Sequence, residues 1–258
     1  MADLHRQIVR QKLEAIGYAI TEIPEGERPS ADLAASGLDV GLVVEVKARR
    51  DDIENARQFH SGSAGRVVES RSPIGHDDAL SRVVHHAANQ ISSSQEQYFG
   101  LGVLWFRADP DLGISHAAAR IVTTLFGRRY LNVRGTDGII TTGRCYLAGY
   151  ADFYRCSSID LAVVEDPDDS AYLLVNPYSR RLDDVHASRL FTFAAGEMPW
   201  AIIDLHKLEA SANDYVLWGE FSRKAEATVL EELKKRYPDR DFQLFDMCSS
   251  IGRIRMDT

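Results

Sequence analysis

Apolar positions near the start of the chain recur at helical spacing in two places. The first such stretch covers residues 4–16, and Gly17 then supplies the residue type that commonly ends a helix. The second covers residues 80–91, where apolar side chains follow the i, i+3, i+4, i+7 pattern of a helix with one buried face. The pattern therefore predicts two amphipathic helices.

Extended segments surround these helices. Short apolar segments at residues 18–23, 30–35 and 42–48 are separated by turn-type residues, which predicts three antiparallel strands. Residues 99–106 form a continuous apolar run after the second helix, so we expect a fourth strand added in parallel through a crossover. The predicted order is αβββαβ in an α/β fold with a mixed sheet.

The remainder of the chain predicts mainly strands. We place a core at residues 1–107, and residues 108–258 form an extension or second subdomain of unknown role. A helix is expected at about residues 222–236, with Ser222 as its N-cap, and residues 51–77 are expected to form a flexible loop near the site. The strands of this β-rich extension are predicted at residues 138–150, 159–164, 171–175, 201–205 and 215–218.

Composition indicates a soluble protein with a core of its own. The chain has 258 residues, of which 45% are hydrophobic, and no apolar run is long enough to span a membrane. Its start shows no basic segment followed by an apolar one, and three scattered cysteines do not form a disulfide framework. We expect a cytoplasmic location and no membrane partner.

The third predicted strand carries two ions in an unusual place. Side chains alternate along a strand, so Glu45 and Lys47 lie on one face while Val44 and Val46 lie on the other. Burying such ions is costly unless a metal or polar partners compensate. A hairpin from the preceding strand could bring Asp32 toward Glu45, so that two carboxylates and an amine converge.

These residues carry a family resemblance. Asp32 in Pro29-Ser30-Ala31-Asp32, twelve intervening residues and then Glu45-Val46-Lys47 after an apolar run resemble the signature of the PD-(D/E)XK nuclease superfamily. The match covers residues 1–107 and implies a restriction-endonuclease-like core. It is also distantly similar to Holliday-junction resolvase cores. Those cores add an acid early in the first helix, where this chain has Asp3 and His5 but no glutamate.

The resemblance implies a role for each site residue. Asp32 and Glu45 would bind Mg²⁺ or Mn²⁺ with the carbonyl of Val46 as third ligand, and Lys47 would orient or activate the attacking water. Gln90 falls where many members place a supporting glutamine. Hard divalent ions do prefer carboxylate and carbonyl oxygens, and a bound metal lowers the pKa of water.

Candidate substrate contacts come from arginines. Arg49 and Arg50 follow the third strand directly, and Arg128 and Arg129 lie in a window, residues 120–144, with five arginines and one acid. That window could contact phosphates or be a solvated face without a partner. Adjacent positions on a helix point about 100° apart, so we interpret His85 and His86 as solvated or packing residues rather than ligands of one metal.

The predicted function is a metal-dependent endonuclease acting on nucleic acid. DNA is favoured over RNA on family frequency, and a homodimer would supply two sites for the two strands of a duplex. The net charge of −8 keeps a first alternative open: an inactive nuclease-fold protein that binds nucleic acid or a protein. The second alternative is a small phosphoester hydrolase that uses the arginine-rich window.

Overall fold

The strands in the described part of the chain form three sheets. The computed structural model describes residues 2–37, 39–49, 67–108, 117–165, 170–197, 200–208, 213–221, 225–246 and 248–254. Within them lie a seven-stranded, a four-stranded and a two-stranded sheet. The fold is mixed α/β, with parallel and antiparallel strands in the largest sheet.

The first hundred residues follow the predicted order with one addition. The two helices and four strands are confirmed, and an extra strand, β4, lies in the segment predicted to be a loop. The elements are α1 (Ala2–Ile16), β1 (Ala19–Glu22), β2 (Leu33–Ser36), β3 (Leu42–Arg49), β4 (Val67–Pro73), α2 (Asp78–Gln95) and β5 (Leu101–Ala108).

The second half contains more helix than predicted. Among the described residues, all five predicted strands are present, together with further strands and six helices, of which the one at Glu226–Arg236 was predicted. The elements are α3 (Ala117–Phe126), β6 (Arg128–Arg134), β7 (Ile140–Leu147), a 3₁₀ turn (Ala148–Tyr150), α4 (Asp152–Arg155), β8 (Leu161–Glu165), β9 (Ala171–Val175), α5 (Leu182–Ala187), α6 (Arg189–Gly196), β10 (Ala201–Ile203), α7 (Leu205–Leu208), β11 (Asp214–Leu217), α8 (Glu226–Arg236), β12 (Asp241–Phe245) and β13 (Cys248–Ile254).

The largest sheet contains strands from both halves of the chain. Its strand order is β1-β2-β3-β5-β8-β9-β10, with β3, β5 and β8 parallel in its centre. Three strands that follow residue 107, the predicted end of the core, therefore complete the same sheet. The smaller sheets are β11-β7-β6-β12 and β13-β4.

Hydrophobic cores cover both faces of the central strands. On one face, Leu104 and Phe106 of β5 belong to the same buried cluster as α2 and α3. On the other face, Trp105 of β5 clusters with α1 and α6. A third cluster joins the four-stranded sheet to α8. Because both faces of β3 and β5 are covered, their side chains meet solvent chiefly at the strand ends.

Backbones approach closely where β3 and β5 begin. A Cβ atom added at Gly102 would lie 1.8 Å from the carbonyl oxygen of Ser158, and one at Gly41 would lie 2.6 Å from the carbonyl oxygen of Phe99. A Cβ at Gly100 would lie 2.7 Å from backbone atoms of Gly41. No side chain fits between these segments, so glycine is required for their packing.

Two local predictions need correction. Strand β2 begins at Leu33, so Asp32 precedes the strand rather than lying within it. Helix α8 begins at Glu226 with Ala225 as its N-cap, and Ser222 lies outside the described residues. Of the predicted loop, residues 51–66 also lie outside the described residues.

Within the described ranges, no helix is both long and apolar enough to cross a membrane.

Candidate metal centre

Strand β3 places an acid and an amine on the face covered by α2. Val43 belongs to the buried cluster around α2 and Val44 to the one around α1, as strand alternation requires. Glu45 therefore shares the α2 face with Lys47, and its side chain is 2% exposed against 24% for Lys47. The Lys47 ammonium donates to Glu45 Oε1 at 2.5 Å.

Asp32 lies at the edge of β3 where the antiparallel pairing with β2 stops. Its backbone N–H donates to the Val44 carbonyl at 3.1 Å, and its own carboxylate Oδ2 accepts the Val46 N–H at 2.8 Å. The side chain thus replaces the backbone acceptor that the next ladder bond would use. In a strand, the N–H and C=O of one residue point to the same edge, so the Val46 carbonyl also faces the Asp32 side.

Arg6 of α1 contacts the second oxygen of this carboxylate. Its Nη2 lies 2.7 Å from Asp32 Oδ1, and the two side chains are 27% and 16% exposed. The sequence offered no signal for this contact, because Arg6 is one of several basic residues on α1. Each carboxylate of the site therefore has its own cation: Arg6 beside Asp32 and Lys47 beside Glu45.

Gln90 of α2 holds Lys47 from above the sheet. Its Nε2 donates to the Ser30 carbonyl at 2.9 Å, and its Oε1 accepts from Lys47 Nζ at 3.1 Å. Because a carbonyl oxygen can only accept, the Ser30 contact determines which way the amide faces. His86 Nδ1 lies 2.7 Å from the same Oε1. Gln90 thus connects the segment before Asp32 to Lys47.

Burial makes Glu45 a weaker acid than an ordinary glutamate. Burial and the nearby charge of Asp32 raise the pKa of Glu45 to about 7, against the opposing effects of Lys47 and Arg6. Among the described residues, Glu45 Oε2 has no hydrogen-bond partner although it is buried. An unpartnered carboxylate oxygen of this kind is costly unless a cation or a proton satisfies it.

This donor set fits a hard divalent ion with few protein ligands. Within the described part of the chain, no group of three His, Cys, Asp or Glu side chains is placed to hold a metal ion. Here Asp32 and Glu45 provide carboxylates, and the Val46 carbonyl faces the same edge. Mg²⁺ typically takes one or two carboxylates and completes its shell with water and substrate oxygens, so the set suits it.

Two of the predicted substrate-binding arginines, Arg128 and Arg129, have partners on other elements. Arg128 is buried and donates to the Ala119 carbonyl at 3.1 Å, while Arg129 pairs with Glu226 at 2.8 Å. Arg144, in the same window, pairs with the buried Asp214 at 2.7 Å. These contacts leave the interpretation of Arg128 and Arg129 as substrate contacts a prediction.

The structure does not test the other two predicted substrate-binding arginines. Arg49 ends the strand and its side chain is not described, and Arg50 lies outside the described residues. Their predicted contact with substrate stays a prediction.

The adjacent histidines have separate surroundings. His86 is exposed and contacts Gln90, whereas His85 Nδ1 lies 3.4 Å from Cys156 Sγ and its Nε2 lies 3.9 Å from Asp152 Oδ1. The prediction that they do not face one metal agrees with these contacts. His86 is nevertheless a neighbour of the site, which its helical spacing of four residues from Gln90 could have indicated.

Comparisons with known proteins assign no family. No family model, no curated protein and no solved structure matches this chain. The functional interpretation therefore depends on the geometry around Asp32 and Glu45.

Proposed function

We propose that the protein is a metal-dependent endonuclease that hydrolyses phosphodiester bonds of nucleic acid. The observation that carries the proposal is the buried Glu45 carboxylate with an unpartnered oxygen, close enough to Asp32 for that charge to raise its pKa. Paired acids at the open edge of a buried strand resemble the PD-(D/E)XK arrangement. Apart from β4, which pairs in another sheet, the order is α1, β1, β2, β3, α2, β5 with β3 and β5 parallel, and this order supports the same proposal.

In this proposal Asp32, Glu45 and the Val46 carbonyl hold the metal. A bound Mg²⁺ lowers the pKa of a coordinated water and neutralises charge on the phosphoryl oxygens. Lys47 lies against Glu45, where its ammonium can orient the attacking water and stabilise negative charge in the transition state. Gln90 is a positioning residue, since its amide holds the Lys47 ammonium in place.

DNA is the proposed substrate on the family resemblance. The net charge of −8 disfavours broad electrostatic binding, so duplex contacts must come from cations close to the site. Two such sites, one from each subunit of a homodimer, would cut both strands of a duplex.

The first experiment measures cleavage of supercoiled plasmid with Mg²⁺ or Mn²⁺. We expect Asp32→Ala, Glu45→Ala and Lys47→Ala each to lower the cleavage rate by about 100-fold or more, the range seen when an electrostatic contact of the transition state is lost. The matched control is Glu232→Ala, because Glu232-Leu233-Lys234 repeats the Glu-x-Lys spacing on α8. It should cut at the wild-type rate.

Two results would count against the proposal in different ways. If wild type cuts and the three site variants cut equally well, the active site lies elsewhere. If wild type binds Mn²⁺ in calorimetry and loses it in Glu45→Ala but cuts neither DNA nor RNA, the fold holds a metal without this activity.

A further inference from the structure

We propose that Arg6 pairs with Asp32 only while no metal is bound. When a metal binds, Arg6 releases Asp32 and contacts the substrate phosphate instead. We call Arg6 in this role the resident cation. This inference depends on the metal centre of the proposed function. It adds a residue that the signature does not contain, and it predicts that metal loading and phosphate binding favour each other.

The first support is the way in which Asp32 is shared. One oxygen of its carboxylate accepts the Val46 N–H at 2.8 Å and the other contacts Arg6 Nη2 at 2.7 Å. The Val46 contact is part of how β3 ends its pairing, so it stays when a metal binds. The Arg6 contact is made by a long flexible side chain from another element, and it is the one that can be released.

The second support is the charge balance. Two carboxylates and two cations, Arg6 and Lys47, bring the cluster to zero when Glu45 is ionised. A divalent ion adds two positive charges beside the guanidinium, and like charges at such distances repel. A phosphate group arriving at the metal restores the balance, and a guanidinium forms two parallel hydrogen bonds to it readily.

The third support is the incomplete bonding of Arg6. Among the described residues, its Nε is buried and has no hydrogen-bond partner, although the side chain is 27% exposed. A guanidinium has five N–H donors, and the contact with Asp32 leaves several of them for another acceptor. Arg6 therefore has N–H donors beyond the one that contacts Asp32.

The test is the affinity for Mn²⁺ alone, measured by isothermal titration calorimetry at pH 8. We expect Arg6→Ala and Arg6→Gln to bind Mn²⁺ more tightly than wild type by about tenfold, the effect that Coulomb's law gives for removing one charge near a divalent ion in wet surroundings. Arg6→Lys keeps the charge and should stay close to wild type. At saturating Mn²⁺, Arg6→Ala should nevertheless cut more slowly, because the phosphate loses its guanidinium.

Arg10→Ala is the matched control. Arg10 lies one turn further along α1, where it pairs with Glu14 and Glu22 rather than with Asp32. Its removal deletes the same charge from the same helix without touching the site. It should leave Mn²⁺ affinity within about twofold of wild type, as expected for an exposed and screened charge.

The outcomes separate this inference from the nuclease proposal. Unchanged or weaker Mn²⁺ binding in both Arg6→Ala and Arg6→Gln overturns the role of Arg6. Absence of Mn²⁺ binding in wild type and in both variants overturns the metal centre as well. Tighter binding in the two variants, with no cleavage of any nucleic acid by wild type, supports Arg6 as resident cation and rejects the nuclease.

Discussion

At the scale of single residues, the site consists of two carboxylates and two cations, all at least partly buried. Glu45 is the most deeply buried of the four, and Lys47 satisfies only one of its oxygens. Burial and the charge of Asp32 therefore raise the pKa of Glu45 to about 7. Proton and metal compete for the same carboxylate.

The raised pKa of Glu45 predicts that the free energy of unfolding of the metal-free protein depends on pH. The folded pKa of Glu45 lies above its ordinary value of 4.5, so stability due to the neutral acid is complete below about pH 4.5 and lost as the pH rises through about 7. At roughly 1.4 kcal/mol per pH unit, metal-free wild type should lose up to about 3 kcal/mol relative to Glu45→Gln. Urea unfolding at pH 5 and pH 8 measures this.

Glu232→Gln is the control, because this residue is on α8 and partly exposed. A pH dependence that is the same in wild type and Glu45→Gln would show that Glu45 has an ordinary pKa. Adding Mn²⁺ should reverse the sign for wild type, since the metal binds the ionised carboxylate and stabilises the folded protein by linkage.

At the scale of elements, the site exists because the pairing of β2 with β3 ends at Val44, one residue before Glu45. The Asp32 side chain takes the Val46 N–H that another backbone carbonyl would have accepted. This ends the ladder and leaves the edge of β3 open. Asp32 thus has a structural role in addition to the proposed binding of metal.

Two substitutions at Asp32 separate these roles. Asn keeps an oxygen that can accept the Val46 N–H, whereas Ala removes the acceptor and leaves a partly buried donor unsatisfied, which costs about 1 kcal/mol. We expect Asp32→Ala to be clearly less stable than Asp32→Asn in urea unfolding without metal. Both should lose Mn²⁺ binding in calorimetry. Equal stability of the two variants would contradict the structural role of this side chain.

Some elements were readable from the sequence and others were not, for physical reasons. The alternation of Val44, Glu45, Val46 and Lys47 predicts the face of each side chain, and the structure confirms it. Helix α3 was missed because residues 121–126 are buried all around, which removes the one-sided pattern that reveals a helix. Arg6 was missed because a partner 26 residues away leaves no local spacing to detect.

At the scale of the whole molecule, the candidate site belongs to a sheet assembled from distant parts of the chain. Strand β5 lies between β3 and β8, and its residues Leu101–Phe106 are buried. The β8 side of β5 is supplied by residues after 160. The predicted division at residue 107 therefore passes through the middle of one sheet.

A fragment of residues 1–107 should not fold on its own. Without β8, the edge of β5 and one side of both cores would be exposed to water, which costs far more than a small domain can offset. We expect this fragment to show no cooperative urea transition by circular dichroism and no Mn²⁺ binding, in contrast to the full chain. Cooperative unfolding together with Mn²⁺ binding would establish residues 1–107 as an autonomous domain.

The glycines at Gly41, Gly100 and Gly102 give the two ends of the central strands opposite characters. The contacts of Gly41 and Gly100 leave no room for a methyl group between the starts of β3 and β5, and those of Gly102 leave none between β5 and Ser158. A slip of one residue would turn every side chain of a strand to the other face and move Lys47 away from Gln90. The register that aligns Glu45 and Lys47 is thus fixed by the close backbone contacts at the start of β3. The side chains at the other end of the strand can therefore be substituted without a change of register.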